Sequence, residues 1–69
     1  MRLENIGLQI RTWRQRRGLT QAALADRAGL SQIFIAKVEG GDRAPSWVTL
    51  KRIATALSVQ VRVKLVGRR

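Results

Sequence analysis

Neither cysteine nor histidine occurs anywhere in the 69 residues. That double absence constrains the fold more than any motif does. A domain this small buries only about 60% of the surface its unfolded chain exposes, so its stability is marginal without a staple. Missing cysteines exclude disulfides, and the lack of both ligand types excludes a Cys or His metal staple. Tight helix packing, or association with another chain, remains. One domain is expected, and a cysteine-free chain fits a reducing cytoplasm.

Apolar spacing divides the chain into helices. Residues 4–17 place Ile6, Ile10 and Trp13 on one face, and Gly18 is a good stop. Thr20 reads as an N-cap for a second helix from Gln21 to Ala28, in which Leu24 and Ala28 share a face and which Gly29 ends. Ser31 caps a third helix running to about Glu39. The stretch from Gly40 to Pro45 has loop composition. Ser46 caps a fourth helix to about Leu57, striped by Leu50, Ile53, Ala54 and Leu57. The period then changes to two: Val59, Val61, Val63 and Leu65 alternate with Gln60, Arg62, Lys64 and Val66, the pattern of a β-strand.

Charge supplies the strongest compositional pointer to function. Fourteen Lys and Arg oppose four acids, for a formal net charge of +10. Eleven of the fourteen are Arg, whose planar fork matches phosphate and the guanine edge. A polyanion partner is expected, which leaves DNA, RNA and ribosomal roles open. The N-terminal residues lack the apolar region of a secretory signal, and no apolar run reaches membrane-spanning length. An enzyme is disfavoured: Cys, His and Tyr are all missing. The acids Glu4, Asp26, Glu39 and Asp42 are scattered, so no metal or cofactor is implied.

The segment from Gln21 to Glu39 joins two short helices through Gly29, with small Ala25 where a third helix must cross closely. On the third helix, Ile35 and Val38 point one way and Gln32, Ile33, Ala36 and Lys37 the other. That outer face suits base reading, but taken alone it equally suits a protein interface or a mildly apolar solvent face. The stretch Gly18-Leu19-Thr20-Gln21-Ala22-Ala23-Leu24-Ala25, with Ala28-Gly29-Leu30-Ser31-Gln32, Ile35 and Val38-Glu39-Gly40, closely resembles the phage repressor and Cro-type helix-turn-helix family. Pro45-Ser46, Thr49-Leu50, Ile53-Ala54 and Ala56-Leu57 look like that family's fourth helix. The resemblance covers roughly residues 6–59.

The resemblance implies a mostly α fold of four to five helices and a sequence-specific regulator of transcription, expected to repress its own gene from the cytoplasm. The third helix would enter the major groove of double-stranded DNA while the second crosses the backbone. Ser31, Gln32, Ile33, Ala36 and Lys37 then become the base readers. Gln21 would contact a phosphate and brace Gln32, with Thr20 beside it; Arg17, Arg43 and Lys51 are further phosphate candidates, each equally readable as a solvated charge. Arg14 and Glu39 match a structural ion pair of the family. Phe34 is better read as a packing residue than as a DNA contact, and Trp47 as a packing residue or a dimer contact.

Two features depart from the family. Ser58 stands where members often have Gly, and a strand replaces the fifth, dimerising helix. A lone strand exposes unpaired backbone groups, so Val59, Val61, Val63 and Leu65 are expected to pair across a homodimer. Residues 1–58 are thus the DNA-binding part, and 59–69 the dimerisation strand and basic tail of the same domain. The short length and the strand exit also resemble antitoxins of the HipB type. Hence an alternative role is neutralising a toxin protein.

Overall fold

The computed structural model describes residues 5–63 and 67. Four helices follow one another: α1 (Ile6–Arg16), α2 (Gln21–Ala28), α3 (Gln32–Glu39) and α4 (Trp47–Ala56). The N-caps of three of them follow directly from residue type. Thr20, Ser31 and Ser46 are extended, and each side-chain oxygen accepts from the amide three residues on, Ala23, Phe34 and Thr49 respectively. Asn5, before α1, is left-handed at φ 51° and makes no such bond.

All four helices end the same way. Leu19 N donates to Arg14 O, Leu30 N to Ala25 O, Asp42 N to Lys37 O and Val59 N to Ala54 O, at 2.8–3.0 Å. Each bond closes over one left-handed residue: Gly18, Gly29, Gly41 and Ser58. This is the Schellman closure, which satisfies carbonyls that the last helical turn leaves without partners. Three sites use Gly, for which positive φ is free of strain; the fourth uses Ser58, at φ 58°.

Ile10, Leu24, Ile35, Ile53 and Leu57 are completely buried, with Val38, Leu50 and the small Ala25 and Ala28 beside them. Burying side chains of this size contributes about 1.5–3 kcal/mol each. Alanines on α2 let α3 and α4 approach it closely, as the apolar pattern of that helix predicts. Gly7 performs a similar service for α1, whose spacing gave no hint of it. A Cβ there would overlap the Val38 carbonyl oxygen and lie 2.9 Å from that of Glu39, so α1 rests directly on the end of α3.

The predicted strand is corrected. Among the described residues there is no strand and no fifth helix. Val59 spends its N–H on closing α4, and Val59 and Val61 pack half-buried against the helical core. The apolar alternation is thus partly satisfied by the chain's own helices instead of a neighbouring strand. Val63 is exposed, and Leu65 lies outside the described residues. Among the described residues no helix is long and apolar enough to cross a membrane.

Candidate nucleic-acid interface

α3 has two unlike sides. Ile35, Val38 and Glu39 are buried. Gln32, Ile33, Ala36 and Lys37 are all exposed, as is Ser31 at the cap. Ile33 is 70% exposed, so the core has no claim on it. The side chains of Gln32 and Lys37 make no hydrogen bond or ion pair among the described residues. An amide, a cation, an aliphatic and a small residue therefore stand in one row with their bonding capacity uncommitted. Ser31 and Thr20 accept from helix amides, which leaves each hydroxyl hydrogen free to donate.

A buried network braces this helix from behind. The Glu39 side chain has no solvent exposure. Arg14 grips it with both fork positions, Nε to Oε2 at 2.7 Å and Nη2 to Oε1 at 3.0 Å. The third nitrogen, Nη1, donates to Leu19 O at 2.8 Å. Arg11, one turn earlier, adds a contact of 3.5 Å to Oε1. A buried carboxylate is tolerable only when paired and hydrogen-bonded this fully. The network ties α1, the α1–α2 turn and the last residue of α3 into one body. Arg11 was overlooked in the sequence, although its i, i+3 spacing to Arg14 places both on one helix face.

Gln21 departs from expectation. Its Nε2 donates to Glu39 Oε1 at 3.3 Å, and no bond joins it to Gln32. The buried carboxylate, with acceptor capacity to spare, is a stronger attraction than a neutral amide at the surface. Gln21 thereby links the start of α2 to the end of α3.

Arg17 is likewise held elsewhere. Its Nε donates to Leu57 O at 2.9 Å and its Nη2 to Ser58 O at 3.4 Å. Carbonyls at a helix C-terminus carry partial negative charge, and a guanidinium is a good partner for them. Its charge also lies over the Trp13 ring, as does that of Arg16, each at 5.1 Å. Arg17 therefore joins α1 to the end of α4.

Arg43 lies in the α3–α4 loop, 5.6 Å from the centre of the Phe34 ring. Phe34 is half-buried against the core. Lys51, on α4, is exposed and shares an open groove with Arg27 and Arg52, facing the C-terminal end of α2. Arg52 donates to Gly29 O at 3.1 Å and so holds the α2–α3 turn from α4. Of the cationic phosphate candidates Arg17, Arg43 and Lys51, Arg43 is the one whose charge is brought against a side chain of α3, the Phe34 ring. No group of three or more acidic, His or Cys residues that could hold a metal occurs among the described residues.

Comparison with known proteins supports the same arrangement. The chain is 41% identical over 56 residues to the immunity repressor protein of Bacillus phage phi105, a match covering 81% of this chain and 39% of that protein. The chain thus spans well under half of that relative's length. Among solved structures, the restriction-modification controller protein C.AhdI from Aeromonas hydrophila superposes with a TM-score of 0.79 at 36% identity, covering 81% of this chain and 85% of that one. The controller protein C.Esp1396I, as a tetramer in complex with its natural 35 base-pair operator, superposes with a TM-score of 0.78 at 28% identity, covering 84% and 76%. The helix-turn-helix domain family itself matches residues 5–64, nearly the whole chain, and together with α2, the Gly29 turn and α3 this establishes that the protein belongs to the helix-turn-helix domain family.

Proposed function

We propose that this protein is a sequence-specific DNA-binding regulator of transcription that reads the major groove with α3 and represses its own gene. One observation carries the reading: the row Gln32, Ile33, Ala36 and Lys37 is exposed and uncommitted, on a helix braced from behind by a buried ion-pair network. Gln suits adenine, Lys suits guanine, and Ile suits the thymine methyl. The formal charge of +10 supplies the attraction to phosphate. Similar proteins are named as a repressor and as controllers, one of them bound to an operator, which favours regulation over toxin neutralisation.

The reading includes self-association, because two copies present recognition helices to successive major grooves about 34 Å apart. We place the contact between copies on three of the exposed apolar residues, Trp47 and Val48 of α4 and Val63 of the tail. Sedimentation velocity is expected to show a dimer, and Val63→Asp to shift it toward monomer. An unchanged dimer in that variant places the contact elsewhere.

Fluorescence anisotropy with the DNA upstream of the protein's own gene, against scrambled competitor, tests the main reading. Binding at about 10⁻⁸ M or tighter that survives the competitor is expected. Gln32→Ala and Lys37→Ala are each expected to weaken specific binding by about 1–3 kcal/mol and leave non-specific binding intact. Equal losses on both kinds of DNA remove these residues from base reading.

A further inference from the structure

We propose that Phe34 is a positioning residue for DNA binding: its ring holds the Arg43 guanidinium beside α3, ready for a backbone phosphate. The inference rests on the DNA-binding reading above. Arg43 follows directly on the closure of α3, in which Asp42 N donates to Lys37 O, and its exposed side chain makes no hydrogen bond or ion pair with another described residue. Its described partner is the Phe34 ring at 5.6 Å. That ring is packed against the core and belongs to α3, so it is a rigid support carried by the recognition helix itself.

The mode of contact matters. A carboxylate would occupy the N–H groups of the guanidinium, as Glu39 does to Arg14. A ring engages only its face and leaves the in-plane donors free for phosphate. Leaving an arginine ordered yet unspent lowers the entropy cost of the contact it makes later. Among the described residues, Arg16 and Arg17 also meet a ring, but Arg17 has already committed donors to the end of α4.

The test uses the full chain and a fluorescent duplex enriched by it from a randomised library. Phe34→Leu is expected to weaken binding about two- to fivefold. It is expected to cost nothing further in an Arg43→Ala background, while Phe34→Tyr keeps the affinity. Equal cost of Phe34→Leu in both backgrounds means a purely structural ring, and overturns the proposal. Should Phe34→Leu fail to fold, Arg43→Lys decides. Lysine keeps the charge but loses the planar guanidinium, so a similar weakening with an unchanged salt slope is expected, and a neutral result overturns the proposal. Failure to enrich any duplex defeats the DNA-binding reading itself, a different outcome from absent coupling.

Discussion

Single residues here are sorted by whether their donors and acceptors are already engaged. Glu39 sits at the end of α3, beside the row proposed to read DNA, yet it is entirely given over to holding the fold. Removing one partner of such a buried pair leaves a charge without compensation, at a cost of about 3–5 kcal/mol. Arg14→Ala is expected near the lower end of that range, because Arg11 remains close to the carboxylate. Urea denaturation followed by circular dichroism measures it. A loss below about 1 kcal/mol would mean the pair behaves like an exposed surface bridge. Gln32 and Lys37 are the opposite case: substituting them is expected to change DNA binding and leave the urea midpoint unmoved.

Among the elements, helix ends are the most informative. Four equivalent closures use three glycines and one serine, and a left-handed conformation strains any residue with a Cβ. Ser58→Gly is therefore expected to stabilise the domain by about 0.5–1 kcal/mol, after allowing for the extra freedom of Gly in the unfolded chain. Thermal melting checks this, and an unchanged or lower Tm refutes it. Gly7→Ala has two opposed effects. Alanine is favoured in a helix by about 1 kcal/mol, but its Cβ would collide with the backbone carbonyl of Val38. Overpacking against rigid backbone costs about 1–3 kcal/mol, so net destabilisation is expected in the same melting experiment. A stabilised Gly7→Ala variant would mean that α1 slides away from α3 at little cost.

For the whole molecule, charge and size act together. The chain carries fourteen cations and four acids, and two of those cations, Arg11 and Arg14, face Glu39. DNA affinity is therefore expected to fall steeply with salt, with a slope of roughly −0.9 per phosphate contacted. Arg43→Ala is expected to reduce that slope by about one contact per bound copy, whereas Arg17→Ala leaves it unaltered, its guanidinium being bonded to the end of α4. Titrations over a range of salt concentrations separate the two. A reduced slope for Arg17→Ala would show that it leaves the α4 carbonyls for phosphate.

Helix boundaries, caps and most of the core were legible in the chain itself, because they follow from local rules: Thr or Ser before a helix, Gly after it, and apolar residues every three or four positions. The row on α3 was legible for the same reason, since 3.6 residues per turn decides which side chains share a face. What tertiary structure alone decided is where the long polar side chains spend their bonds. Gln21 and Arg17 reach partners 18 and 40 positions away, and nothing in their own neighbourhood announces it; for Arg11 the one local sign is the face it shares with Arg14. The tail is the sharpest instance. Its alternation of valines is a sound strand pattern, but a strand needs a partner, and the helical core offered Val59 and Val61 an apolar surface within the same chain.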